Sequence, residues 1–265
     1  MALPQADWLA LCRRSAHAAR SAVAGLTSTA ERSVTHGRGE GGDTTLAVDK
    51  AAEDAVFAEL EAFGVPLTVV SEERGELAVG GGSQDARVVV DPVDGSVNAK
   101  RGLPFACVSI AVASGPLMED VEIGFVAELA PARDWWAVRG EGAFLGDERL
   151  AQLTPGPMEL LGLETARPSR VAAAADALAA VEARRMRALG SVAASMCQVA
   201  AGRLDAMVTL REVRSVDVAA AQLIVKEAGG SVALPGGDAL DLDMRSRALA
   251  ARDPQMLARL TATFA

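Results

Sequence analysis

The spacing of apolar residues changes along the chain, and the changes mark its organisation. Over residues 4–27, Trp8, Leu9, Leu11, Cys12, Ala16, Ala19 and Val23 fall roughly on one side of a predicted helix. A second helix is predicted over 49–63, with Ala52, Val56, Phe57 and Leu60 buried and Gly64 closing it. The glycine-rich polar stretch 36–43 between them reads as a flexible loop. From residue 67 to residue 150 the period becomes that of strands. Runs at 67–71, 86–90, 107–113, 121–128 and 134–139 are short, apolar or alternating, and bounded by turn residues, with a Gly80-Gly81-Gly82-Ser83 loop between the first two. Beyond 150, strands near 160–164, 186–189, 205–210 and 231–234 alternate with helices over 169–183, 191–201 and 217–228. A last strand near Ala248 and a helix from Pro254 follow. This alternation predicts an α/β (α+β) chain with crossover connections. Thr154-Pro155-Gly156-Pro157 interrupts it, placing a seam between an N-terminal half, 1–150, and a C-terminal half, 151–265.

Composition narrows the possibilities. Of 265 residues, 50% are hydrophobic and 23% charged, so a sizeable core is expected and disorder is not. Aromatics supply only 3% and tyrosine is absent, leaving alanine, valine and leucine to pack that core. A formal charge of −9 argues against a nucleic-acid binder, whose affinity would come from basic patches. It does not exclude an anionic substrate, because bound divalent ions reverse a local field. Cys12, Cys107 and Cys197 lie far apart and are expected reduced, in a cytoplasmic protein without disulfide or zinc. His17 and His36 are not spaced as metal ligands. No apolar run reaches membrane-spanning length, and the N-terminus shows no signal-peptide core.

The most informative segment runs from Val88 to Asn98. A β-branched run ends in Asp91-Pro92-Val93-Asp94-Gly95-Ser96, a proline-fixed turn with two aspartates three positions apart. A buried strand ending this way projects both carboxylates, and the carbonyl between them, into one small volume. Two such anions repel each other unless a cation neutralises them, and oxygen-only ligands suit a hard ion such as Mg²⁺. The amides of Gly95 and Ser96, at a helix start, offer a seat for a phosphate. Three further acidic positions stand out: Asp49 and Asp217, each opening a helix, and Glu72-Glu73 after a strand. Taken singly, helix capping or a solvated turn accounts for each.

Taken together, these residues resemble the inositol monophosphatase superfamily of Mg²⁺-dependent, lithium-sensitive phosphomonoesterases. The resemblance rests on Asp91-Pro92-Val93-Asp94-Gly95-Ser96 with Asn98 and Gly102-Leu103-Pro104-Phe105, and on Val216-Asp217-Val218-Ala219-Ala220 leading into Lys226-Glu227-Ala228-Gly229-Gly230. Asp43-Thr44-Thr45 with Asp49 and Glu53, Glu72-Glu73, and Gly190-Ser191 leading to Gly202-Arg203-Leu204-Asp205-Ala206 keep the family's order. It implies a layered αβαβα sandwich of the inositol monophosphatase/fructose-1,6-bisphosphatase type, usually a homodimer. It also implies two or three Mg²⁺ ions. By family role Glu72, Asp91 and the Val93 carbonyl hold the first. Asp91, Asp94 and Asp217 hold the second, and Glu72 with Asp49 contribute to a weaker third. Ser96 with Glu72 would orient the attacking water, the Gly95 and Ser96 amides would take the phosphate, and Gly190 and Ser191 would lie near the sugar or inositol ring.

Val216 stands where many inositol monophosphatases carry tryptophan. Arg211, Val216 and the 43–49 stretch look more like the archaeal-type enzymes acting on both fructose 1,6-bisphosphate and inositol phosphates. Arg211 would bind a second phosphate or pair with Glu212 or the Glu227 region, and Arg38 sits near a family loop lysine. The expected function is hydrolysis of inositol monophosphate, or of a sugar phosphate such as fructose 1,6-bisphosphate, by metal-activated water. A histidinol-phosphate or nucleotide phosphatase and a regulatory interaction protein on the same fold are the rivals. Partners are a small phosphorylated metabolite, with no nucleic acid and no membrane.

Overall fold

The computed structural model describes residues 5–81 and 86–264, so residue 4 and residues 82–83 of the expected glycine loop lie outside it. The first half comprises α1 (Gln5–Ala24), α2 (Thr29–Arg32), β1 (Thr35–Arg38), β2 (Thr44–Leu46), α3 (Ala47–Phe63), β3 (Leu67–Ser71), β4 (Gly75–Val79), β5 (Arg87–Asp94) and α4 (Ser96–Arg101), then β6 (Cys107–Ala113), β7 (Val121–Glu128), β8 (Arg133–Val138), β9 (Gly142–Leu145) and β10 (Glu148–Arg149). The second comprises β11 (Leu160–Glu164), α5 (Pro168–Ala173), α6 (Ala175–Ala180), β12 (Arg185–Arg187), α7 (Val192–Ala200), β13 (Ala206–Thr209), α8 (Ser215–Glu227), β14 (Ser231–Ala233), β15 (Leu249–Ala251) and α9 (Pro254–Phe264).

Strands β3 to β10 form one sheet in the order β10-β9-β8-β7-β6-β5-β3-β4, antiparallel but for the β3–β5 pair. The other sheet has the order β12-β11-β13-β15-β14. Helices α1 and α3 pack together on one face of the large sheet, and α7 and α8 fill the space between the two sheets. Helix α9 covers the outer face of the second sheet. This is the layered αβαβα sandwich the sequence implied.

The middle layer explains the composition. All nine residues of α7 are buried, and α8 carries Ala219, Ala220 and Ala221 at its centre. A helix enclosed on several sides must be apolar almost all round, and alanines keep it thin enough to fit between two sheets. The largest apolar cluster accordingly mixes Val70 and Val89 of the first sheet with Met196, Ile224 and Met207 from the second half.

Two expectations need correction. Residues 36–43 are not a free loop: they belong to the β1–β2 hairpin, where Gly39 N–H donates to the Asp43 carbonyl at 3.0 Å and Arg38 Nε to the Gly42 carbonyl at 2.5 Å. The helix expected over 169–183 is two short ones broken at Ala174. No residue of either is buried, so no apolar stripe holds them in one line.

Candidate active site

Strands β3 and β5 are parallel, with Ser71 beside Val90, so their carboxyl ends open at the same edge. That edge is where ligands bind in open α/β sheets. Glu72 and Glu73 follow β3 there, and β5 ends in Asp91 and Asp94. Residues three apart on a regular strand face opposite ways. Here Asp91 pairs with Ser109 and Asp94 with Cys107, so three steps on β5 oppose two on β6. The bulge at Pro92-Val93 turns both carboxylates to one side. Asp91 Oδ1 accepts from the Val93 amide at 3.0 Å, which fixes the turn.

Helices bring the remaining groups. Asp49 and Asp217 are each the third residue of their helix, not the N-cap. Asp49 Oδ2 accepts from Leu46 N–H at 2.9 Å, and Asp217 Oδ2 from Arg214 N–H at 2.7 Å. Capping thus occupies one oxygen of each, and Asp49 Oδ1 is buried with no hydrogen-bond partner. Gly95 precedes α4 at φ 91°, and a Cβ there would lie 2.8 Å from the Phe105 carbonyl, so no side chain fits. Ser96 Oγ donates to the Val93 carbonyl at 2.9 Å. Asp94 Oδ2 accepts from Ser191 Oγ at 2.7 Å and Ala193 N–H at 2.6 Å, at the positive end of α7.

These groups line two adjoining cavities. The smaller, about 390 Å³, is bounded by Asp49, Glu72, Asp91, Val93, Asp94, Gly95, Ser96 and Asp217. The larger, about 560 Å³, shares Asp94, Gly190, Arg211 and Asp217 with it and adds Ser191, Arg167 and Arg170. Apart from Arg38, every residue that sequence singled out for the site therefore borders one or both. Two make contacts the sequence did not suggest: Ser191 spends its hydroxyl on Asp94, and the Gly190 amide donates to Glu164 Oε2 at 2.9 Å.

The acids strain against one another. Burial first, then the charges of its acidic neighbours, pushes the Glu72 carboxyl up to about 8, although Arg214 opposes the rise. Burial and the Asp217 charge push Asp94 up to about 7, and burial with Glu72, Asp94 and Asp217 holds Asp91 well above the usual carboxylate range. Burial likewise raises Asp49. The Arg214 guanidinium bonds Glu72 and lies 3.8 Å from Asp217. Among the described residues, no three acidic, histidine or cysteine side chains converge on a common point at ligand distances. The donor set nevertheless fits a hard divalent ion. It consists of oxygens only, one buried oxygen lacks a partner, and burial together with mutual repulsion pushes Glu72 and Asp91 up from the usual carboxylate range.

Sequence reasoning missed four residues. Glu164 ends β11 and is buried. Its Oε1 accepts from Leu189 N–H at 2.9 Å and Ser195 Oγ at 2.6 Å, fixing the 189–191 turn. An acid closing an apolar strand was its only sequence signal. Arg167 and Arg170 follow that strand, and Arg214 stands three residues before Asp217. Arg211 pairs with neither Glu212 nor Glu227. Glu227 accepts from the Gly140 and Gly142 amides, and among the described residues Arg167, Arg170 and Arg211 make no ion pair. Arg38 lines a small side cavity with Arg211 and Arg214.

No helix among the described residues is long and apolar enough to cross a membrane. Residues 8–265 match the model of the inositol monophosphatase family. A fructose-1,6-bisphosphatase/inositol-1-monophosphatase of Methanothermobacter thermautotrophicus is 36% identical over 251 residues, 91% of this chain and 89% of that protein. The Nus factor SuhB of Pasteurella multocida is 34% identical over 196 residues, 72% of this chain and 71% of that protein. A solved inositol monophosphatase–fructose 1,6-bisphosphatase superposes with a TM-score of 0.83 at 26% identity, covering 97% of this chain and 99% of that one.

Proposed function

This chain belongs to the inositol monophosphatase family and is a phosphatase, and we propose that it hydrolyses phosphate esters of small sugars and cyclitols, fructose 1,6-bisphosphate and inositol monophosphate among them. Enzymes of the family are metal-dependent. We read the ions as Mg²⁺, two or three in number, held by Glu72, Asp91, Asp94, Asp217, Asp49 and the Val93 carbonyl. Bound there, such ions neutralise charge on the phosphoryl oxygens and make water a competent nucleophile.

The chain's own groups position the ester around them. The amides of Gly95 and Ser96 receive phosphoryl oxygens at the start of α4, where Gly95 lets the backbone approach closely. Glu72 and the free oxygen of Asp49, with the Ser96 hydroxyl near the Val93 carbonyl, orient the attacking water. Ser96 Oγ donates to the Val93 carbonyl, and Lys100, which borders the same cavity, makes no hydrogen bond to it, so a covalent seryl intermediate is disfavoured. The sugar occupies the wider cavity against Gly190 and Ser191, with its far end toward Arg167, Arg170 and Arg211.

One observation carries this assignment: the acids and three unpaired arginines border a continuous space. An ester reacting beside Asp94 and carrying a second phosphate meets those guanidiniums at its other end, and planar forks of that kind suit phosphate. A phosphate-release panel in Mg²⁺ tests it, comparing fructose 1,6-bisphosphate, inositol 1-phosphate, histidinol phosphate and a nucleotide 3′-phosphate. The bisphosphate should have the lowest KM, and replacing Arg170 and Arg211 by Ala should raise that KM by about tenfold or more while sparing kcat for inositol 1-phosphate. Histidinol phosphate or the nucleotide leading the panel would overturn the substrate class. A purely regulatory protein would release no phosphate from any of them.

A further inference from the structure

Arg214 supplies a positive charge from within the chain at the point where the acids need one. Its guanidinium bonds Glu72, lies 3.6 Å from Asp43 and 3.8 Å from Asp217, and donates to the Gly41 carbonyl at 2.9 Å. Only 9% of its side chain is exposed, against 66% for Asp43. The backbone beneath is fixed. Val213 and Ser246 exchange two hydrogen bonds, at 2.7 and 3.1 Å, and the Arg214 amide is tied to Asp217. Movement here therefore means a swing of the side chain.

The turn at 39–43 is held from the opposite side. Gly41 N–H donates to the Glu72 carbonyl at 2.8 Å, and Glu40 N–H to the Glu73 carbonyl at 3.1 Å. The approach is so close that a Cβ on Gly41 would come within 2.9 Å of the Glu72 carbonyl and strike the Arg214 guanidinium. One side chain thus joins the acid cluster to a turn that borders it, and Asp43 lines the smaller site cavity as well. A side cavity of about 190 Å³ lies beside the guanidinium, lined by Asp43 and Glu212 together with Arg38, Arg211 and Arg245.

We propose that Arg214 is an exchangeable counter-ion. Without a divalent cation, its guanidinium neutralises Glu72 and Asp217 and clasps the 39–43 turn onto the site. A divalent cation entering between those acids expels the guanidinium and loosens the turn. The proposal rests on the divalent-cation assignment of the acid cluster made above. The guanidinium and an incoming ion compete for the same oxygens of Glu72 and Asp217, and in a partly desolvated pocket the doubly charged one is held harder. A permanent structural ion pair is the alternative: the guanidinium would then stay on Glu72 and Gly41 with the ion bound, and the 39–43 turn would be held as firmly with Mg²⁺ as without it.

Isothermal titration of Mg²⁺ into the metal-free protein and its Arg214→Gln variant tests the competition, and hydrogen exchange at the turn separates displacement from a permanent pair. Competition predicts that the variant binds Mg²⁺ at least about tenfold more tightly, the scale of one charge-assisted hydrogen bond removed. Equal or weaker binding by the variant overturns the proposal while leaving the divalent-cation assignment intact. Absence of binding by both proteins overturns the assignment and the proposal together. Hydrogen exchange on the unaltered protein provides a second test that survives a variant that does not fold. Added Mg²⁺ should speed exchange at the Gly41 amide, and unchanged or slower exchange there rejects the mechanism.

Discussion

Stripped of divalent cations, the protein should lose stability as the pH rises from about 5 to about 8. Glu72 and Asp94 are raised from 4.5 and 3.8 to about 8 and about 7 in the folded chain. Across that window the folded state keeps protons that the unfolded chain has already released. The slope of unfolding free energy against pH is therefore negative. The contribution is fully present below the unfolded values and is lost as the pH passes through the folded ones. Holding one proton that far above the group's ordinary value is worth about 4 kcal/mol. Protonating one acid relieves the others, so the total stays on the order of 5 kcal/mol, a fall in Tm of roughly 10 °C or more. Differential scanning calorimetry in excess chelator, from about pH 5.5 to about pH 8.5, measures it. Millimolar Mg²⁺ should restore the loss, and restore most at the alkaline end. Asp94→Asn removes one of the repelling charges, so the metal-free variant should outlast the unaltered protein near pH 8 while releasing no phosphate. A metal-free Tm that is flat or rising over this window would refute the reasoning, because carboxylates held below their ordinary values, such as Asp54, act only at lower pH.

Two further outcomes bear on the walls of the site. Glu164→Ala leaves the Leu189 and Gly190 amides and the buried Ser195 hydroxyl without their acceptor, so urea unfolding should show a loss of about 2 kcal/mol; a loss under about 0.5 kcal/mol would mean that the 189–191 turn holds itself. Gly95→Ala forces a Cβ against the Phe105 carbonyl at a left-handed φ, and should cut phosphate release by about a hundredfold or more through misplacement of the Gly95 and Ser96 amides. Retained activity with an unchanged circular dichroism spectrum would remove those amides from the phosphate seat.

Where local signals were strong, the sequence was enough. Strands β3, β6, β7 and β11 have the expected bounds because turn residues stand at both ends of each apolar run. Strand β4, Gly-Glu-Leu-Ala-Val at a sheet edge, carries no such run and went unseen. The hairpin at 35–46 was hidden by its glycines, of which Gly39 and Gly41 serve close approach to Glu73 and Glu72, not looseness. The Asp91–Asp94 pair was legible because Pro92 and the odd spacing imply a strand that breaks its alternation. Glu164, Arg167, Arg170 and Arg214 were not, since each acquires its role only through residues distant along the chain: Glu164 through the 189–195 segment, the arginines where both halves line one cavity or meet at Glu72. Asp49 and Asp217 were ambiguous for a physical reason: each caps a helix with one oxygen and borders the site as well.

On the reading proposed above, Glu72, Asp91, Asp94 and Asp217 seat divalent cations. Anomalous diffraction from crystals soaked in Mn²⁺ tests it most directly. A peak should appear within about 2.2 Å of Asp91 oxygens, with a second shared by Asp94 and Asp217 and the Arg214 side chain turned outward. Density for Mn²⁺ elsewhere, or none between Glu72 and Asp217, would contradict the account.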